Sequence, residues 1–161
     1  MIGFHFSHEV EAVFGDLDGM GHVNNVVHLK WLETARIDYW IHVTGQKAGA
    51  GRPPRDGARH DPGPGVMSGV LIDMILARTE IDYRSPVEYG EKLDVFIRTA
   101  LIKRSSLAFE YAVQARSDGR VVAEAKTIVV CYDYALKRSK PVPTDLKTAI
   151  LALDPSARVE I

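Results

Sequence analysis

A single cysteine, Cys131, stands in the whole chain, so no disulfide can close within it. It lies in the apolar run Ile128-Val129-Val130-Cys131, where a small buried hydrophobe is expected rather than a nucleophile. Neither sign of charge is in excess. Twenty Lys and Arg against 21 Asp and Glu leave a formal net charge of −1 at pH 7, so there is no general attraction for nucleic acid or an anionic membrane surface. No apolar stretch reaches the roughly 20 residues that span a bilayer. The segment Met1 to Glu9 lacks a basic region followed by an apolar one, so no secretory leader is expected and the cytoplasm is the expected compartment. The six histidines form no His-x-x-x-His pair, there is no Cys-x-x-Cys, and a Gly-x-Ser-x-Gly elbow is absent. No metal site, zinc included, and no Ser-His-Asp hydrolase is therefore expected.

What is present reads as one soluble domain. The 161 residues suffice for a sizeable core, and 46% hydrophobic with 25% charged residues is ordinary globular composition. No internal repeat or composition shift marks a boundary within residues 1–161.

Taken in order, Phe4, Phe6, His8, Val10, Ala12 and Phe14 alternate with polar residues and predict a half-buried strand. A glycine-rich loop follows, with Asn24 or Asn25 as the N-cap of a helix running to about Thr44. Leu29, Leu32, Ala35, Tyr39 and Val43 form one stripe of that helix, and Val26, Val27, Trp31, Ile37, Trp40 and Ile41 widen it. A helix so apolar is expected to be largely buried, wrapped by a sheet, with Gly45 as C-cap. Residues 45–65 are rich in glycine and proline and predict a long irregular loop, basic through Arg52, Arg55, Arg59 and His60.

Four alternating runs then follow: 70–84, 93–101, 107–115 and 120–134. Ser117-Asp118-Gly119 is a hairpin turn between the last two. Consecutive strands with short turns predict an antiparallel meander, and residues 143–153 a short C-terminal helix. One long helix covers one face of such a sheet, so the second face is expected to seek a partner, as in a homodimer or homotetramer.

The chemistry concentrates in Asp16-Leu17-Asp18-Gly19-Met20-Gly21-His22-Val23-Asn24-Asn25, which joins the first strand to the helix. A helix N-terminus offers unpaired N–H groups and a positive dipole end, so a carboxylate beside it can attack while the N–H groups stabilise developing negative charge. Asp16 fits a turn role and Asp18 the chemical one; the alternative for Asp18 is an Asx turn or a helix cap. His22 is either a reacting group or a loop stabiliser. Glu33, on the helix, is read as structural, with Arg36 three residues on as its partner.

This loop, with Leu29, Trp31-Leu32-Glu33 and Ala35-Arg36, resembles the hotdog-fold acyl-CoA thioesterases of the 4-hydroxybenzoyl-CoA thioesterase type. Ile81-Asp82-Tyr83-Arg84-Ser85-Pro86-Val87 and Tyr89-Gly90 are similar to the same family's second signature, and the likeness covers about residues 4–134. The resemblance implies an α+β hotdog fold, a long central helix wrapped by a curved antiparallel sheet. It implies hydrolysis of an acyl-CoA or acyl-carrier-protein thioester, with Asp18 as nucleophile or general base. It also implies the backbone N–H at Asn25 as oxyanion donor, with His22 and Asn24 shaping the loop or positioning water and substrate. His28 stands where the family usually has tyrosine. Arg84, Lys103, Arg104 and Ser105 match the positions that meet the coenzyme A phosphates near a subunit interface, the alternative being solvated or ion-paired strand-end residues. Coenzyme A would enter as part of the substrate, with no separate cofactor. Two other functions fit the same fold: an enoyl-thioester hydratase or dehydratase using an Asp and a His, and a non-catalytic acyl-CoA binder.

Overall fold

The computed structural model describes residues 1–45 and 74–160. The expected irregular segment 45–65 thus lies, from residue 46 on, outside the described residues, as do 70–73 of the second strand. The elements are β1 (Phe6–Glu11), α1 (Asn25–Thr44), β2 (Met74–Tyr83), β3 (Lys92–Ile102), β4 (Ser106–Ala115), β5 (Val121–Asp133), β6 (Arg138–Ser139), α2 (Thr144–Leu153) and β7 (Arg158–Val159). A long helix lies against a seven-stranded sheet, antiparallel except where β7 joins β3, which is the hotdog arrangement. Gly45 ends α1 in the left-handed conformation that glycine reaches without a Cβ penalty, φ +65°.

The sheet order is β1-β3-β4-β5-β2, which corrects the expected four-strand meander. Only β3, β4 and β5 are joined that way. β2 crosses over to pair with β5, from Met74 opposite Cys131 to Tyr83 opposite Ala123, and its other edge has no strand partner among the described residues.

Strict alternation fails at bulges, where an extra residue moves the following side chains to the other face. In β2 the register shifts between Leu76 and Arg78. Met74 and Leu76 therefore share a face with Thr79, Ile81 and Tyr83, while Ile75, expected there, faces away. In β3 the shift between Thr99 and Leu101 buries Ile102 in place of the expected Leu101. Phe14 is also displaced: the chain leaves β1 into a 3₁₀ turn at Phe14–Asp16, and the Phe14 ring is 81% exposed.

The core lies between α1 and the sheet. His28, Trp31, Leu32, Ala35, Tyr39 and Trp40 form the buried stripe of α1. They meet Leu93, Val95 and Ile97 of β3, Phe109 and Tyr111 of β4, and Ala123, Ala125 and Val129 of β5. Helix burial is narrower than the composition implied, because Val26 and Leu29 remain exposed. The outer face of the sheet mixes charged residues with apolar ones such as Phe96, Ile128 and Val130. One row crosses four strands as Arg98, Glu110, Lys126 and Glu80, with Arg98–Glu110 at 2.7 Å and Lys126–Glu110 at 3.6 Å.

Beyond the C-terminal half of α1, α2 and the residues after it close the core. Asp154, 1% exposed, accepts from the Tyr39 hydroxyl at 2.8 Å and the Thr99 N–H at 2.7 Å, just past the point where β1 runs out opposite Ile97. Its other oxygen faces His5 Nδ1 at 3.3 Å. Tyr39 also bonds the Thr99 hydroxyl at 2.8 Å, and burial above all, with the neighbouring Asp154 carboxylate adding to it, pushes its own hydroxyl pKa far up.

Candidate active site

The loop between β1 and α1 folds back on itself as a small hairpin. Leu17 bridges Val23, the Asp18 N–H donates to the His22 carbonyl at 2.9 Å, and the Asn24 N–H donates to the Asp16 carbonyl at 2.8 Å. The Gly21 N–H closes the tip onto the Asp18 carbonyl at 3.0 Å, and Gly21 has φ +84°, a conformation that glycine takes without strain. The returning limb is anchored to the segment after β2 by the Val23 N–H on the Val87 carbonyl at 2.9 Å, and it leads directly into α1.

The two loop carboxylates part company here. Asp16 is buried, and its Oδ2 accepts the Val13 N–H at 3.0 Å, holding the 3₁₀ turn. Asp18 is half-buried; its Oδ1 accepts the Met20 N–H at 2.8 Å in an Asx turn, and no bond to its second oxygen occurs among the described residues. One oxygen thus orients the carboxylate while the other is left for a reactant. Asn24 is the N-cap of α1, its side chain accepting the Val26 N–H at 3.0 Å. The Val27 N–H reaches back to the Asn24 carbonyl at 2.9 Å, whereas the Asn25 N–H, the first of the helix, has no partner among the described residues. An uncommitted N–H at the positive end of a 20-residue helix is an anion-stabilising group. The His22 ring is exposed and makes no hydrogen bond among the described residues.

His28 lies one turn into α1 and is only 3% exposed, edge-on to the rings of Trp31 and Tyr83 at 5.0 and 5.3 Å. Its Nδ1 is enclosed with no hydrogen-bond partner among the described residues, and burial lowers its pKa to about 4. The ring is neutral at pH 7. Tyr83, at the end of β2, covers it and donates its hydroxyl to the Asn25 carbonyl at 3.0 Å; desolvation raises that phenol's pKa. Tyr83 had no role in the sequence reading, although it falls inside the second signature. The signal was its place on the same alternating face as Ile81.

The phosphate candidates are not gathered around this loop. Arg84 faces the outer side of the sheet and pairs with Glu124 at 3.0 Å and Asp82 at 3.5 Å. Lys103, Arg104 and Ser105 form the turn between β3 and β4, closed by the Lys103 N–H on the Ser106 carbonyl at 2.8 Å, and Lys103 pairs with Glu160 at 3.1 Å. Glu11, at the end of β1 near the Asp18 loop, lies opposite Lys92, the first residue of β3. An eleven-residue β3 therefore separates that turn from the Asp18 hairpin by about 33 Å within the chain.

A groove of about 270 Å³ runs between α1 and the open strand β2, lined by Val26, Leu29, Leu32, Leu76, Thr79 and Thr127. It begins beside the helix N-terminus and reaches Arg36. Arg36 does not pair with Glu33, which is exposed; its Nη1 donates to the Tyr111 hydroxyl at 3.3 Å instead. Among the described residues no three His, Cys, Asp or Glu side chains are grouped to hold a metal ion, and no helix is long and apolar enough to cross a membrane.

Comparison with known proteins agrees with this architecture. No curated protein sequence is detectably similar to the chain. A thioesterase from Thermus thermophilus, solved with coenzyme A and zinc, is similar over 96% of this chain and 98% of that one, with 31% identity and a TM-score of 0.74. A 1,4-dihydroxy-2-naphthoyl-CoA thioesterase from Synechocystis shares the fold at 21% identity, covering 92% and 97% of the two chains with a TM-score of 0.72. A thioesterase-superfamily protein from Jannaschia does so at 19% identity, covering 96% and 86%, with a TM-score of 0.75. The model of the Thioesterase-like superfamily matches residues 12–150, from the end of β1 into α2, and the chain belongs to that family.

Proposed function

We propose that this protein hydrolyses an acyl-CoA or acyl-carrier-protein thioester to a free acid and a thiol, within the 4-hydroxybenzoyl-CoA thioesterase type. The observation that carries the reading is the pairing of a half-committed Asp18 carboxylate with an uncommitted Asn25 N–H at the start of α1. The thioester carbonyl accepts from the Asn25 N–H. Acting as base, Asp18 takes a proton from water as the water oxygen bonds to the carbonyl carbon, and the tetrahedral oxyanion is held by that N–H. Collapse expels the thiolate, which recovers the proton. Acting as nucleophile, the carboxylate instead adds to the carbonyl carbon and displaces the thiolate, and water then cleaves the resulting anhydride to the free acid and the regenerated Asp18 carboxylate. Asn24 keeps the helix start in place, His22 borders the reaction space, and neutral His28 under Tyr83 forms the floor beside it.

Residues 1–161 act as one domain, in the cytoplasm, with coenzyme A as part of the substrate and no separate cofactor. A homodimer, alone or within a tetramer, is supported by the open edge of β2 and by exposed Ile75 and Leu76 upon it. Antiparallel pairing of two β2 edges about a two-fold axis reverses the second protomer end for end. Its Lys103-Arg104-Ser105 turn then stands at the same end as the first protomer's Asp18 loop, where the phosphates of coenzyme A would lie. Arg84, beside that seam, completes the basic set once it is released from Glu124.

A thiol-release assay over acyl-CoAs of graded chain length, run beside Asp18→Asn, tests the reading. Turnover by the wild type with a loss of about 10³-fold in the variant is expected. Hydrolysis undiminished in Asp18→Asn overturns the assignment, and hydration of an enoyl-CoA without thiol release overturns the reaction.

A further inference from the structure

The α1–β2 groove has an unusual end. Val26, Leu29, Leu32 and Leu76 give it an aliphatic stretch, yet it reaches Arg36, a half-buried guanidinium with no carboxylate partner among the described residues. One of its five N–H groups is used, on Tyr111, whose hydroxyl is shared with buried Thr127 at 3.0 Å. Lys30 and Glu33, opposite in sign and both exposed, also line the groove. A cation with unused donors in a partly desolvated place favours an anion there, and guanidinium matches carboxylate in two-point geometry.

The other end of the groove, at Val26, adjoins the Asn25 N–H, where the thioester carbonyl would sit. From Asn25 to Arg36 the helix rises about 16 Å, shortened by the lean of a helical side chain toward the N-terminus. At about 270 Å³ the groove takes one arm of a thioester, not a whole coenzyme A adduct. We propose that it binds the acyl arm of a long-chain ω-carboxyacyl thioester, aliphatic along Leu29, Leu32 and Leu76, with the distal carboxylate on Arg36. The inference rests on the thioesterase reading for which arm enters, and on the unpaired guanidinium for what that arm carries.

The test compares dodecanoyl-CoA with the mono-CoA thioester of dodecanedioic acid, which differ only at the distal end. In the wild type the carboxylated substrate should be preferred by about tenfold in kcat/KM. Arg36→Gln, which keeps a donor for Tyr111 but removes the charge, should reverse the preference, and Arg36→Lys should restore part of it. An equal ratio in wild type and Arg36→Gln, or a wild-type preference for plain dodecanoyl-CoA, overturns the proposal. Titration of both thioesters into Asp18→Asn protein by calorimetry separates the two readings. An Arg36-dependent preference in binding with no hydrolysis by the wild type sinks the thioesterase reading and upholds the groove. Hydrolysis of both substrates without that preference does the opposite. A groove filled by the second copy in solution, with neither thioester displacing it, also overturns the assignment.

Discussion

The two ends of α1 treat polar groups in opposite ways. At the C-terminal half, Tyr39, Thr99 and Asp154 satisfy one another completely, deep in the protein and with distances of 2.7 to 2.8 Å. At the N-terminus, the second oxygen of Asp18, the Asn25 N–H and Nδ1 of His28 have no partner among the described residues. A finished network contributes stability and can do nothing else, because every donor is engaged. An unfinished one costs stability and leaves groups for a substrate to engage. The difference marks the N-terminal end of α1 as the one with polar groups to spare.

The sharpest break of that comparison is a crossed pair of variants. Asp18→Asn should abolish most turnover yet leave the denaturation midpoint nearly unchanged, since Asp18 Oδ1 anchors only an exposed turn. Asp154→Ala should do the reverse: a loss of about 3 kcal/mol or more on urea unfolding, because the Tyr39 hydroxyl and Thr99 N–H lose a buried carboxylate acceptor. Activity measured at a temperature where that variant is still folded should stay near the wild-type level. Equal effects of the two variants on stability would dissolve the contrast between the two ends.

His28 gives the next largest effect, through pH. Its pKa is about 4 in the folded protein against 6.5 for an unhindered histidine, so the unfolded chain binds the extra proton first. Stability contributed by keeping it neutral is present above pH 6.5 and drains away as pH falls toward 4, by on the order of 2–3 kcal/mol. Urea unfolding at pH 7 and at pH 4 should therefore show a smaller decline for His28→Phe than for the wild type, and parallel declines would refute the buried, neutral histidine.

Asn24→Ala should cost about 1 kcal/mol by removing the cap on Val26, with Asn24→Asp restoring it. Catalysis should suffer beyond that cost, since the same residue sets where the Asn25 N–H points; kcat measured well below the melting temperature separates the two effects. Tyr83→Phe is the mildest change. It removes one exposed hydrogen bond to the Asn25 carbonyl, so a shift of about 0.5 kcal/mol and a small change in kcat are expected from the same two assays.

Local patterns in the chain were good guides wherever one residue answers to its immediate neighbours. The asparagine cap, the Gly45 stop and the span of α1 depend on nearest-neighbour backbone geometry, and such geometry is written in residue type. Alternation in β2 and β3 was a poorer guide. One bulge residue in each strand inverts the inward and outward sets, so that Ile75 faces out and Ile102 in. Strand order was equally hidden, because the crossing of β2 to β5 is decided by which edge remains after β3, β4 and β5 have paired. Arg36 was matched to Glu33 on helical spacing alone, but a hydroxyl from β4, distant in sequence, took its place.

By itself the sequence determined the helix, its caps and the loop in which a carboxylate precedes a helix N-terminus by a few residues. These are short-range facts, set by backbone sterics and the chemistry of adjacent side chains. Only the tertiary structure decided which of those polar groups are left unsatisfied. Asp154 finds Tyr39 and Thr99, Tyr83 finds the Asn25 carbonyl, and Arg36 stands uncompensated by any carboxylate among the described residues at the end of a groove. Hydrogen-bond partners and desolvation depend on the whole packed chain, and the reactivity of a group depends on both.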